Sequence, residues 1–358
     1  MAVRVDHLYA DGSILLPLGL RYTGGHEALP GAANLFGRVD LEAEVEDGVG
    51  APAGRAGVEG RTDLAYDARP VRTSEVIDRH RAAGREFEAA GVRSFVREEG
   101  DGDPVVCVHG VPSSCFLYRK VVAQLASREL RGVAFDLPGL GLAERPESFD
   151  YSWTGLGRFC ADAVDALDLD RFHLLVHDIG GPIGFELAAA MPERVRSLTI
   201  LNTMIDVATF DRPWFMEVFA RQTVGELWLK SLTRPAFLGL MYATGISRRS
   251  AVPSAELYAY VDLLKRDDDG RAFLKIMRGF ERTPEKEALY HSAVRDVPYP
   301  VQIVWGAEDP ALTVDEHGES VRRAAGLEEV HRLPSKHFLQ EDQAPAIAER
   351  VAALAAAA

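Results

Sequence analysis

The sequence is poor in cysteine, in positive charge and in long apolar segments. Among 358 residues there are three cysteines, Cys107, Cys115 and Cys160. Their number and spacing suggest neither a disulfide framework nor a zinc site. Lys and Arg total 40 against 54 Asp and Glu, a net charge of -14, which makes nucleic acid and anionic membranes poor partners. We therefore predict a cytoplasmic protein without a metal or a cofactor, whose partners are small molecules.

Two further patterns are missing. The amino terminus has no apolar signal core, and the apolar run at residues 14–20 is short and interrupted by Pro17, so no membrane-spanning segment is expected. The chain also contains no Gly-x-Ser-x-Gly, the turn that carries the nucleophile of serine esterases and lipases. A serine-type esterase is therefore a poor interpretation.

Residues 1–75 differ from the rest of the chain. Apolar and acidic side chains alternate over 39–46, which predicts a half-buried strand with an acidic face. A Gly- and Ala-rich stretch over 48–60 then resembles a linker or a long loop. We interpret 1–75 as an amino-terminal extension of unknown role, either packed loosely on the main domain or a partly disordered arm.

From residue 74 onward, short apolar runs alternate with helical patterns. A helical pattern over 74–91 comes first, and continuous apolar runs, typical of strands buried on both faces of a parallel sheet, follow it along the chain. We predict an α/β protein with a mostly parallel central sheet flanked by helices, formed by residues 76–203 and 299–358. The predicted strands are 92–96, 104–108, 132–135, 172–176, 195–201, 301–305 and 330–333.

Residues 204–298 interrupt this alternation. Aromatic residues and methionine become common there, and the periodicity is helical throughout. We predict that the segment is a helical cap inserted into the α/β core.

A sharp turn at residues 177–182 organises the chain. The apolar run 172–176 leads directly into it, and an Ala-rich helical pattern follows. Small residues at Gly180 and Gly181 let the turn close tightly, which leaves the Asp178 side chain exposed at the end of a strand. This is the pattern of a nucleophile elbow with a carboxylate in place of the serine. The alternative role of Asp178 is to cap the helix.

The candidate catalytic residues occur in the order Asp178, Asp309 and His337, each just after a predicted strand. A carboxylate can displace a leaving group from an alkyl carbon and form an alkyl ester. Water activated by His337 can then hydrolyse that ester while Asp309 orients the imidazole. Asp206 is the alternative acid. Backbone N–H groups of Val111 and Ile179 are expected to form the oxyanion hole.

Five segments together resemble the haloalkane dehalogenase and epoxide hydrolase branch of the α/β-hydrolases. The likeness runs from about Val92 to the end of the chain and does not include the first 75 or so residues. It implies the α/β-hydrolase fold, an aspartate nucleophile and a small apolar substrate. The segments are 109–119, 136–141, 177–182, 304–310 and 337–342.

Two positions depart from the pattern of the dehalogenases. Those enzymes usually place Trp directly after the nucleophile and often Asn in the oxyanion loop, where this chain has Ile179 and Val111, which lack side-chain donors. A cap tryptophan could donate to a departing halide instead, and epoxide hydrolases use cap tyrosines to donate to the opening epoxide. The candidates in the cap are Trp214, Trp228, Tyr242, Tyr258, Tyr260 and Tyr290.

The sequence therefore predicts a haloalkane dehalogenase-like hydrolase that cleaves a carbon–halogen bond. An epoxide hydrolase that uses cap tyrosines is the alternative. A binding protein that kept the fold and lost its chemistry is the third reading, against which the complete set of Asp178, Asp309 and His337 argues.

Overall fold

The computed structural model describes residues 14–15, 21–22 and 71–358. The chain divides into two units at Pro70 and Val71. In the first unit, strand β1 (Ile14–Leu15) pairs antiparallel with strand β2 (Arg21–Tyr22). The strand predicted over 39–46 and the linker predicted over 48–60 lie outside the described residues.

The second unit is built on a sheet of eight strands in the order β10-β9-β8-β7-β5-β6-β4-β3. The pairs β3–β4 and β4–β6 are antiparallel, and all other pairs are parallel. The strands are β3 (Arg85–Ala89), β4 (Val92–Glu99), β5 (Asp103–Val108), β6 (Leu130–Phe135), β7 (Phe172–Val176), β8 (Val195–Leu201), β9 (Val301–Gly306) and β10 (His331–Leu333).

The central strands are apolar because helices cover both faces of the sheet. Every residue of β7 is buried. Its consecutive side chains Leu174 and Leu175 belong to different apolar clusters, one on each face. The helices of the α/β part are α1 (Thr73–Ala82), α2 (Arg119–Ala126), α3 (Trp153–Ala166), α4 (Gly180–Ala190), α11 (Glu319–Ala325), α12 (Leu339–Asp342) and α13 (Ala344–Ala356).

The helix predicted over 74–91 is only partly correct. Helix α1 ends at Ala82, and residues 85–89 form the edge strand β3. Phe87 and Ala89 are buried while their neighbours are exposed, a period of two that the helical interpretation overlooked. Gly84 permits the close approach of the chain to β4, because a Cβ at this position would lie 2.3 Å from the carbonyl oxygen of Val96.

The segment between β8 and β9 contains helices as its regular elements. Their buried side chains include Phe237, Tyr260 and Phe273, and Arg212 and Phe210 lie in the loop that precedes the first helix. No helix within 71–358 is long and apolar enough to cross a membrane. The helices are α5 (Trp214–Ala220), α6 (Val224–Ser231), α7 (Arg234–Leu240), α8 (Ser254–Lys265), α9 (Arg271–Arg278) and α10 (Pro284–Ser292).

Candidate active site

Asp178 occupies a strained turn directly after β7. Its φ is +55°, a left-handed conformation that costs a non-glycine residue of order 1–3 kcal/mol and persists only when neighbouring contacts hold it. Two contacts from the residues that follow β8 do so. The Asp178 N–H donates to the carbonyl of Asn202 at 2.8 Å, and the Thr203 hydroxyl donates to the Asp178 carbonyl at 2.5 Å. The turn therefore presents the carboxylate at the carboxyl edge of the sheet.

The loop after β5 meets the Asp178 carboxylate. The Val111 N–H donates to Oδ1 at 2.7 Å, and Gly110 passes so close that a Cβ there would lie 2.1 Å from the same oxygen. His109 holds the loop in place. It bonds through Nδ1 to the carbonyl of Gly110 at 2.9 Å, and its Nε2 accepts the N–H of Leu137 at 3.0 Å. The N–H of Val111 thus stabilises negative charge on this oxygen of the carboxylate.

The structure brings His337 and Asp309 together beside the turn that carries Asp178. His337 Nδ1 lies 2.7 Å from Asp309 Oδ2, and its Nε2 lies 3.6 Å from Asp178 Oδ2. Asp309 is buried and held from several sides: Oδ1 accepts the Ala311 N–H at 2.9 Å, and Oδ2 also accepts from Asn202 Nδ2 at 2.7 Å. The imidazole therefore lies between two carboxylates with a defined orientation.

This arrangement determines the charge of the imidazole. Burial by itself lowers the pKa of His337, but the negative charges of Asp309 and Asp178 outweigh that effect and raise it to about 10. Burial by itself raises the pKa of Asp178; the hydrogen bond and charge of His337 and the N–H of Ile179 outweigh it and lower the pKa. These pKa shifts favour a protonated imidazole between two ionised carboxylates.

His177 is a structural neighbour of this group. Burial and the charge of His337 lower the pKa of His177 to about 3, so the ring is neutral. Its Nε2 donates to the carbonyl of His337 at 2.8 Å, and the N–H of Phe338 donates to the carbonyl of Gly245 at 2.8 Å. The backbone that carries the catalytic candidate His337 is thus attached both to the elbow and to the segment between β8 and β9.

A buried ion pair holds the loop that carries His337. Arg119 on α2 forms two hydrogen bonds with the carboxylate of Glu341 on α12, at 2.6 and 2.8 Å. Tyr260 on α8 donates its hydroxyl to the same carboxylate at 2.5 Å. Because α12 begins just after His337, this network ties the histidine loop to α2 and to a helix of the inserted segment.

An apolar cavity of about 70 Å³ opens above Asp178. Within the described residues, the charged side chains in its wall are Asp178, His337 and Arg212. The apolar wall is formed by residues of the α/β part and of the segment between β8 and β9. It includes Val111, Ile179, Met204, Phe210, Phe215, Met216, Phe237, Leu240, Met241, Met277, Phe280, Leu312 and Phe338.

The predicted leaving-group donors do not line this cavity as residues 71–358 form it. The Trp214 side chain is 55% exposed, and Trp228 lies beside it with ring centroids 6.5 Å apart. Tyr242 lies under the guanidinium of Arg249, 4.9 Å from the ring centroid, and Tyr258 is half-buried on α8. None of these four side chains donates into the cavity in this conformation.

Other candidates also have partners elsewhere. The Tyr260 hydroxyl bonds to Glu341, and that of Tyr290 bonds to Glu186 at 2.9 Å. Asp206, the alternative acid, bonds to His291 at 2.8 Å and to the hydroxyl of Ser320, not to His337.

Sequence reasoning missed two residues, Asn202 and Arg212. Asn202 follows β8 directly, and its place at the carboxyl end of a buried strand was a usable signal. Arg212 had no such signal, because it belongs to no motif and reaches the cavity only through the course of the loop before α5.

The fold and this geometry place the chain among known proteins. A family model described as the alpha/beta hydrolase fold matches residues 103–344, and the chain belongs to this family. Haloalkane dehalogenase 2 of Mycobacterium tuberculosis is 30% identical over 278 residues, which are 75% of this chain and 93% of that protein. An uncharacterized hydrolase of Saccharomyces cerevisiae is 27% identical over 270 residues, 73% of this chain and 92% of that protein.

Solved structures give the same fold. A haloalkane dehalogenase from Bradyrhizobium elkani matches with a TM-score of 0.64 and 23% identity over 77% of this chain and 99% of its own. An epoxide hydrolase from Vigna radiata matches with a TM-score of 0.63 and 22% identity over 75% of this chain and 95% of its own. The predicted fold class and the resemblance to this branch of the α/β-hydrolases are confirmed.

Proposed function

We propose that this protein is a haloalkane dehalogenase-like hydrolase that forms an alkyl ester on Asp178. The observation that carries the proposal is the position of the Asp178 carboxylate on the floor of an apolar cavity. One oxygen is held by the Val111 N–H, and the other faces His337 Nε2 at 3.6 Å. An apolar cavity suits an alkyl substrate, and a desolvated carboxylate is a stronger nucleophile than a hydrated one.

The first step is displacement at carbon. A carboxylate oxygen of Asp178 attacks the alkyl carbon, the carbon–oxygen bond forms, and the halide leaves with the bonding electrons. The product is a neutral ester. Residues 204–298, which supply Phe215, Phe237 and Phe280 to the wall, act in this proposal as the cap that keeps water away from the leaving group.

The second step is hydrolysis of the ester. Once the ester has removed the charge of Asp178, His337 loses its proton to solvent. It then takes a proton from water, whose oxygen attacks the carboxyl carbon of the Asp178 ester. The N–H groups of Val111 and Ile179 stabilise the oxyanion, and Asp309 stabilises the imidazolium. When the intermediate collapses, the imidazolium gives its proton to the departing alkoxide and the alcohol is released. The Asp178 carboxyl then loses the proton that remains from the water and is a carboxylate again. Loss of one oxyanion donor in such a site costs roughly 3 to 4 kcal/mol in the barrier.

The substrate test uses 1-bromobutane, 1,2-dibromoethane, styrene oxide and p-nitrophenyl butyrate. We expect bromide release from the haloalkanes and little hydrolysis of the nitrophenyl ester. Diol formation without bromide release would instead support the epoxide hydrolase alternative. Lack of turnover of every compound would support a catalytically silent binding protein and contradict the proposal.

A variant tests the covalent intermediate. His337→Gln should form the ester and fail to hydrolyse it, so mass spectrometry should find Asp178 heavier by the alkyl group of the substrate less one hydrogen. His291→Gln is the matched control, because His291 also bonds to an aspartate, Asp206, but lies outside the cavity wall. If wild-type protein releases bromide while His337→Gln carries no adduct, the mechanism is wrong.

A further inference from the structure

Arg212 is a charged side chain in an apolar wall, and the proposed mechanism gives it no task. It lies in the loop between β8 and α5 and lines the cavity with Phe215 and Met277. Its side chain is 8% exposed. A guanidinium remains protonated in proteins, so this wall carries a permanent positive charge. Burial of a charge is costly unless partners compensate it, and the partners of Arg212 are therefore informative.

The protein satisfies this guanidinium only in part. Nη1 donates to the carbonyl of Met277, and the Cζ atom lies 4.7 Å from the centroid of the Phe280 ring. Nε is buried and forms an ion pair with Glu217 Oε2, 2.9 Å away, although the geometry of this contact is not that of a hydrogen bond. Nη2 makes no hydrogen bond with any residue of 71–358. The Nη2 group of Arg212 therefore has N–H donors that no described residue uses, beside the cavity.

The charges around Arg212 also favour an anion. Burial lowers the pKa of Arg212, the charge of Glu217 opposes this effect, and the charge of Arg282 adds to it. Arg282 is held nearby by a hydrogen bond of 2.9 Å to the carbonyl of Phe210. The Glu217 side chain is 34% exposed, so water screens its charge. Arg282 is exposed and lies outside the cavity wall, so water screens its charge as well, and Arg212 is the guanidinium that faces the cavity.

We propose that Arg212 is the anion-binding residue of the cavity, and that its ligand is either a carboxylate carried by the substrate or the halide that leaves it. The cavity offers Arg212 as its one side-chain cation besides His337 among the described residues, and His337 is already paired with Asp178 and Asp309. The substrate class rests on the proposed function. The binding of an anion does not, because it requires no turnover.

Isothermal titration tests the binding directly. The titrants are sodium butyrate, its uncharged analogue butyramide, and sodium bromide, at an ionic strength held constant with sodium gluconate. At least one of the two anions should bind the wild-type protein, and butyramide should bind at least about tenfold more weakly than butyrate if the substrate carries the carboxylate. Arg212→Met should reduce the affinity for that anion at least about tenfold, the loss expected for a charge-assisted hydrogen bond.

Three further variants control this result. Arg212→Lys keeps the charge and should retain part of the affinity. Glu217→Gln removes the competing carboxylate and should increase it. Arg278→Met removes a cation of the inserted segment that pairs with Glu226 outside the cavity wall and should change nothing.

The outcomes separate the two sources of the anion. Butyrate binding that depends on Arg212 identifies a substrate carboxylate, and bromide binding that depends on it identifies the leaving group. Absence of binding by both anions overturns the proposal, as does affinity that is unchanged in Arg212→Met. Anion binding without turnover of any halide or epoxide would refute the proposed function and leave this inference standing.

Discussion

The proposed mechanism requires the pKa of His337 to fall when Asp178 is alkylated. In the free protein, two carboxylates raise this pKa to about 10, and a protonated imidazole cannot accept a proton from water. The ester is neutral, so its formation removes one of the two negative charges. His337 would then lose its proton at the stage at which a base is needed.

The size of this effect follows from the geometry. Two unit charges 3.6 Å apart interact by roughly 4.6 kcal/mol at an effective dielectric constant of about 20. Since one pKa unit corresponds to about 1.36 kcal/mol, removal of the Asp178 charge is worth roughly 3 pKa units. Asp178→Asn is neutral like the ester and keeps the shape of the aspartate side chain. It should lower the pKa of His337 from about 10 to roughly 7. A general base with a pKa near 7 works best at neutral pH.

Nuclear magnetic resonance of the imidazole groups measures this pKa. The chain has 10 histidines, and the signal of His337 is identified by its disappearance in His337→Gln. Asp206→Asn is the control, because it neutralises an aspartate that bonds to His291 instead. An equal pKa of His337 in wild-type protein and in Asp178→Asn would refute the reasoning, and so would a wild-type pKa below 7.

Two other substitutions separate activity from stability. Gly110→Ala places a methyl group 2.1 Å from Asp178 Oδ1, so kcat should fall about 100-fold or more with an unchanged circular dichroism spectrum, and full activity would contradict the close approach. Tyr260→Phe removes a hydroxyl from the buried pair of Glu341 and Arg119, so the free energy of unfolding should fall by about 2 kcal/mol while KM stays the same; an unchanged denaturation midpoint would contradict that role.

Much of the fold was predictable because its signals are local. Strands β5 and β7 are covered by helices on both faces, so their sequences are short apolar runs with distinct ends. The elbow was predictable for a related reason, since the small residues Gly180 and Gly181 follow closely on the apolar run of β7. The edge strand β3 was missed because its apolar positions also fit the helical pattern that precedes it.

The cavity wall was not predictable to the same extent. The aromatic residues of 204–298 have a helical period, but this period does not say which of them face the cavity and which face each other. Trp214 is largely exposed, and Tyr260 is buried against Glu341, whereas Phe215 and Phe237 reach the wall. Side-chain orientation in such a segment is settled by packing between helices distant in sequence.

The sequence by itself determined the fold family, the carboxylate on the elbow, and the order of Asp178, Asp309 and His337 along the chain. These features depend on turn chemistry and strand burial, which act over a few neighbouring residues. Only the tertiary structure decided that His337 lies between the two carboxylates, that Asp206 is engaged with His291, and that Arg212 enters the cavity. Charge interactions depend on distance in space, and residues far apart in the chain acquire those distances only when the chain is folded.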